Sequence, residues 1–97
     1  MTSKQRAYLS SLAHGLTPVL QIGKSGLTPE LSEAVNETFN CRELVKLSVL
    51  NNCLDDPREL AEALGGRTRS EVVRVVGRKI VLFRQDKDKP IIKLPRQ

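Results

Sequence analysis

The chain has 97 residues, a net charge of +5 and three aromatic residues, Tyr8, Phe39 and Phe83. A chain of this length supports one domain with one core, burying somewhat over ~60% of its unfolded surface, and three aromatics exclude a broad platform for stacking nucleic-acid bases. There is no apolar run of about eighteen residues to span a bilayer, and Met1–Lys4 leads into a polar segment, so a cytoplasmic protein without a membrane partner is expected.

Ser3 is placed to cap a first helix, in which Tyr8, Leu9, Leu12 and Ala13 recur at helical spacing before His14-Gly15 stops it. Pro18–Ile22 is a short apolar run opened by proline and reads as a buried strand entering Gly23. Thr28-Pro29-Glu30 combines a hydroxyl cap, a proline at the first helical position and an acid at the positive end of the dipole, which predicts a second helix. Its Leu31, Ala34, Val35, Thr38 and Phe39 share one face, while Glu30, Glu33 and Glu37 line another that should turn away from an anion.

Glu43–Leu50 alternates Val45, Leu47 and Val49 with Lys46 and Ser48, the period of a strand with one buried face. Cys41 and Cys53 have no CxxC spacing and no histidine-rich segment beside them, so both read as reduced packing residues. Asp56-Pro57-Arg58-Glu59 opens a short third helix with Leu60, Ala61 and Leu64, closed by Gly65-Gly66. Val72–Val76 and Ile80–Phe83 flank Gly77-Arg78, where a leading glycine suits a type II′ hairpin. Beyond Arg84, residues 85–97 form a basic tail in which Pro90–Pro95 is either a short edge strand or an extended segment. The order is α-β-α-β-α-β-β, a compact α/β arrangement over residues 1–97 whose first two strands, joined through a helix, should run parallel.

Charge is unevenly spread along this order. Residues 1–66 carry 6 Lys/Arg against 8 Asp/Glu, and residues 67–97 carry 10 against 3. A phosphate-bearing partner is the natural inference, next to the plainer one that many small proteins are basic for solubility.

Gly23-Lys24-Ser25-Gly26 lies between a strand and a helix start. Its glycines permit positive φ and close backbone approach, free amides can form an anion-binding nest, and Lys24 adds a mobile charge. This suits an RNA phosphate, as in the GXXG loop of KH domains, although the same residues also serve as a plain strand-to-helix turn. A nucleotide-binding P-loop is excluded, because it needs a glycine where Pro18 stands. Ser25 lacks the Gly-x-Ser-x-Gly elbow, His14 reads as a capping or packing residue, and Asp55-Asp56 serve as turn and cap, so no catalytic set, metal or cofactor is expected.

Leu12-Ala13-His14, Leu16-x-Pro18, Ile22-Gly23-Lys24-Ser25-Gly26-Leu27-Thr28, Glu43-Leu44-Val45-Lys46 and Val76–Arg84 occur in this order and cover nearly the whole chain. Together they resemble the CRM domain (chloroplast RNA splicing and ribosome maturation), specifically its bacterial single-domain YhbY-type members. Asn51–Gly66 is the least recognisable part, and Phe83 stands where tyrosine is expected. The resemblance implies an α/β fold with a four-stranded mixed sheet, similar to the C-terminal domain of translation initiation factor three. It also implies RNA binding centred on the GxxG loop and the basic surface near it, and a link to precursors of the large ribosomal subunit.

The candidate RNA-binding residues are therefore Gly23, Lys24, Ser25 and Gly26, with Lys46, Arg67, Arg69, Arg74, Arg78, Lys79 and Arg84 as a basic surround of which about half should touch RNA. Lys4 and Arg6 are further candidates, since the first helix precedes the loop strand, beside their plainer reading as a solvated helix face. The expected partner is RNA, ribosomal RNA or a large-subunit precursor, bound by a monomer. The alternative is a protein-interaction module that docks an acidic ribosomal protein or assembly factor. A small hydrolase or nuclease finds no residue to carry it, and DNA binding finds no helix-turn-helix pattern.

Overall fold

Thr2, one residue ahead of the expected cap, opens the first helix. In the computed structural model, which describes residues 1–95, Thr2 Oγ1 accepts from the Gln5 N–H at 3.1 Å and Gln5 Oε1 accepts from the Thr2 N–H at 3.1 Å. This reciprocal capping box needs a glutamine or glutamate three residues on, a condition that Thr2 meets through Gln5 and Ser3 does not through Arg6. It begins α1 (Ser3–His14). Thr28 Oγ1 caps α2 (Pro29–Cys41) by accepting from the Leu31 N–H at 3.1 Å, and Asp56 Oδ1 caps α3 (Pro57–Thr68) by accepting from the Arg58 N–H at 2.9 Å.

The third helix is longer than expected and runs through Gly65-Gly66. A glycine ends a helix when it takes positive φ, and here Arg69 does so instead, at φ 55° and ψ 41°. For a side chain with a Cβ this left-handed state costs about 1 kcal/mol. Gly65 answers a different need: a Cβ on it would stand 3.1 Å from Ser70 O, in the chain that turns back to donate the Ser70 N–H to Gly65 O at 2.9 Å.

Four strands, β1 (Leu20–Ile22), β2 (Leu44–Val49), β3 (Glu71–Val76) and β4 (Lys79–Phe83), form a mixed sheet in the order β1-β2-β4-β3. The first pair is parallel, with Leu20 opposite Leu47, and the others are antiparallel. β1 is shorter than the apolar run that announces it, since Pro18 has no N–H to give and Val19 is joined only by its N–H to Lys46 O at 2.9 Å. Gly77 has φ +56° and Arg78 keeps a negative φ, as a type II′ turn requires. The β3–β4 register shifts between Val72 and Arg74, and Arg6 Nη1 donates to Val72 O at 2.6 Å and to Val73 O at 3.3 Å. Arg6, expected on a solvated face, thus fastens α1 to the irregular edge strand.

One face of the sheet is covered throughout and α1 covers part of the other, so β2 alternates as expected, with Val45, Leu47 and Val49 buried and Lys46 and Ser48 half-buried, while Leu44 joins the α1 side. Ile22, Val45, Leu47, Ile80 and Leu82 meet Val35 and Phe39 of α2 and Leu60, Ala61 and Leu64 of α3. On the other face Leu44, Val73, Val81 and Phe83 meet Leu9 and Ala13 of α1. Cys53 lies in the first cluster as expected, but Cys41 is exposed at the end of α2 and belongs to neither cluster. Glu30, Glu33 and Glu37 are exposed.

No strand forms after β4 among the described residues, so Pro90–Pro95 is an extended segment and not an edge strand. It is fastened by Glu43, whose side chain is only 2% exposed. Glu43 Oε2 accepts from the Asp86 N–H at 2.7 Å, and Oε1 accepts from Ile91 and Ile92 at 3.0 and 2.6 Å. Amides that a fifth strand would have given to the sheet go to this carboxylate, and Ile92 and Leu94 pack on the α1-side cluster. Asp86 itself accepts from Asp88 and Lys89, and these backbone donors hold its carboxyl below the usual carboxylate range. Residues 96 and 97 of the expected basic tail lie outside the described residues. No helix among them is long and apolar enough to cross a membrane.

Candidate nucleic-acid interface

Because β1 and β2 are parallel, the segments that follow them, Gly23–Thr28 and Leu50–Asp56, leave the same end of the sheet. The Gly77-Arg78 turn lies there too, since β4 runs antiparallel to β2 and starts beside Ser48. Within the first segment the Gly26 N–H donates to Gly23 O at 3.0 Å, closing a four-residue turn with Lys24 and Ser25 exposed at its tip. The nest is therefore smaller than four outward amides: that of Gly26 is engaged inside the turn, and those of Lys24 and Ser25 remain at the tip without a described acceptor.

The two glycines of the loop differ in kind. Gly26 is buried with φ +63°, and a Cβ there would run into the Asp55 carboxylate, so the fold itself requires glycine. Gly23 has no positive φ, and a Cβ would make ordinary contacts with Leu50 Cδ1 and Asn52 Oδ1 at 3.8 and 3.9 Å. Nothing in the fold excludes a side chain at Gly23.

Arg78 supports the loop from behind. Its Nε donates to Val49 O at 3.0 Å and its Nη2 to Leu50 O and Cys53 O at 2.6 and 2.9 Å, which fixes the segment whose Asp55 abuts Gly26. Lys46 Nζ donates to Ala13 O in the last turn of α1 and to Leu16 O just beyond it, both at 3.2 Å, where a cation also suits the helix dipole. On the same face, Lys79 Nζ reaches Ser48 Oγ at 2.8 Å and Arg74 is exposed. The other expected residues lie elsewhere. Arg67 and Arg69 are exposed where α3 ends, and Arg84, just past β4, binds Asn36 and Thr68 O. These three sit at the opposite end of the sheet, about 20 Å away by the length of a six-residue strand.

The fold places Lys24 and Ser25 at the same end of the sheet as Arg78 and Lys79, and groups Arg74 and Lys79 with Lys46 around one cleft on the α1 side. Sequence reasoning could not separate exposed cations from engaged ones, because residue type gives the charge and only the tertiary fold gives its partner. It also passed over His14, which lies exposed beside Arg74 and Lys79. The described residues include one ion pair, between the Met1 amino group and Glu71 at 3.8 Å. No lysine or arginine side chain among them is neutralised by a carboxylate.

The model of the CRS1 / YhbY (CRM) domain family matches residues 1–84. The chain belongs to this family. It is 42% identical over 95 residues to "Probable RNA-binding protein YqeI" of Bacillus subtilis, covering 98% of this chain and 99% of that one. It is 30% identical over 97 residues to an "RNA-binding protein" of Haemophilus influenzae, with 100% and 97% covered. The solution structure of SAV1595 from Staphylococcus aureus superposes with a TM-score of 0.83 at 46% identity, covering 98% of this chain and 99% of that one. The CRM match ends at Arg84, yet Glu43, inside it, holds the tail that follows. Of the CRM motif residues, Lys46, Arg78 and Arg84 fasten backbone carbonyls, while Lys24 and Ser25 face outward.

Proposed function

We propose that this CRM domain binds RNA without catalysing a reaction, through the Gly23-Lys24-Ser25-Gly26 turn and the cationic sheet face beside it. The observation that carries this reading is the turn itself, an exposed tip with two uncommitted amides and a lysine, at the end of the sheet where β4 begins with Lys79; Lys79 and Arg74 have no carboxylate partner. Amides and a cation at one tip suit a backbone phosphate, which sets position without reading sequence. Gly23 fits this role, since a glycine the fold does not demand allows a phosphodiester to come close. The ligand is ribosomal RNA on precursors of the large subunit, a reading supported by the resemblance to YhbY-type proteins.

Two substitutions test the site through different physics. Lys24→Ala lowers the slope of log affinity against log salt by about 0.7–0.9, the share of one phosphate contact, and does so for unrelated RNA sequences. Gly23→Ala weakens binding with thermal stability within about 0.5 kcal/mol of wild type, as for a substitution touching no structural feature. An unchanged salt slope and an unchanged affinity would remove RNA from this loop. For the ribosomal partner, sedimentation of lysate should find the wild type with free large subunits or their precursors and the Lys24→Ala variant displaced toward the top of the gradient.

A further inference from the structure

The C-terminal half of α1 and the open face of the sheet enclose a cleft of about 350 Å³. Its charged lining is His14 from α1, Lys46 from β2, Arg74 from β3 and Lys79 from β4, and no carboxylate lines it. An adjoining groove shares His14 and Arg74, adds Arg6, and has no carboxylate either. The other basic hollows differ: the groove along β3 contains Glu62 and Glu71, and the cleft at the far end contains Glu71 and Asp86. His14 neither caps nor packs as its sequence context suggested. It is exposed and makes no hydrogen bond among the described residues, and Ala13 O in the last turn of α1 accepts from Lys46 instead.

We infer that this cleft holds a phosphate of the RNA backbone and that His14 contacts it in its protonated form, so that RNA affinity rises as pH falls. The inference rests on the RNA-binding reading above and adds to it a contact residue and a proton linkage. The groups facing His14 from the packed elements, Lys46, Arg74 and Lys79, with Arg6 across the adjoining groove, are all cationic. Crowding of like charge without a counter-ion is relieved when an anion enters. An imidazole is the side chain that changes charge between about pH 5 and 8, and a phosphate held against it favours the charged form, so binding takes up a proton and proton uptake strengthens binding. The cleft adjoins Lys79, whose strand begins at the end of the sheet that carries Lys24, so one strand of RNA can cross from the turn into it.

The chain's one histidine makes the linkage readable. Affinity of the full chain for a fluorescein-labelled RNA hairpin with a single-stranded loop is measured from about pH 8 to 5.5 at fixed ionic strength, for wild type, His14→Gln and His14→Lys, with thermal unfolding of each as a control. Wild type should gain about two- to fivefold more than His14→Gln over this range, the size of one exposed ion pair, and His14→Lys should bind tightly without that gain. If His14→Gln follows wild type at every pH while Lys24→Ala still weakens binding, the role of His14 is overturned and the RNA-binding reading stands. If wild type binds no RNA at any pH, both are overturned.

Discussion

Replacing Glu43 by alanine is expected to cost about 3 kcal/mol and to lower the melting temperature by roughly 12–24 °C. The carboxylate is buried and accepts from three backbone N–H groups, those of Asp86, Ile91 and Ile92. Hydrogen bonds to an ionised acceptor contribute about 1.5–3 kcal/mol each, and the total is less than their sum because freed tail amides regain water. Loss of the clamp also releases Ile92 and Leu94 from the apolar cluster beneath α1. The variant should therefore be cut by protease within residues 85–95 under conditions in which the wild type is intact. Glu43→Gln should lie between the two, since an amide oxygen still suits Ile91 and Ile92 while the amide NH2 opposes the Asp86 N–H. A Glu43→Ala protein with an unchanged melting temperature and an uncut tail would show that the tail gains nothing from this residue.

Arg84→Ala should destabilise by a similar amount, about 3 kcal/mol, measured by denaturant unfolding. One guanidinium nitrogen donates to Asn36 Oδ1 at 2.9 Å and to Thr68 O at 2.7 Å, and the group lies over the Phe39 ring at 4.6 Å. It thus joins the middle of α2, the end of α3 and the end of β4 at one point. Truncation deprives Thr68 O at the end of α3 of its donor and uncovers one face of the Phe39 ring, which belongs to the cluster between the sheet, α2 and α3. Arg84→Lys should recover less than half of the loss, because an ammonium lacks the second nitrogen that reaches Asn36 O at 3.4 Å and the flat group that lies over Phe39. At temperatures where Arg84→Ala remains folded, its affinity for RNA should stay close to wild type, in contrast to Lys24→Ala. Equal stability of wild type and Arg84→Ala, with weakened binding, would instead make Arg84 part of the RNA surface.

Much of the fold was legible because its signals are local. Thr28 and Asp56 cap the helices they precede, Gly77 takes the positive φ of its turn, and the apolar periods mark the strands. The errors arise where distant chain decides. Gly65-Gly66 looks like a helix stop, but Gly65 serves close approach of Ser70 and Gly66 has open space beside it, and the stop falls on Arg69, a residue type that gives no warning of it. Lys46 sits in an alternating strand pattern, yet its ammonium is held by Ala13 O of α1, roughly 110 Å of chain away in the extended state. The candidate site was legible as a loop and as a surplus of charge. Which cations stay exposed was not, because Arg78 and Arg84 are directed by carbonyl groups that only folding brings near them.

RNA bound at the end of the sheet that carries the Gly23–Gly26 turn can be located by NMR, from the backbone amide signals of the full chain as an RNA hairpin is added. Shifts are expected at Lys24 and Ser25 and along Arg74–Lys79, with Arg67, Arg69 and Arg84 left in place at the other end. Shifts concentrated on Arg67–Arg69, with the turn unmoved, would contradict this placement.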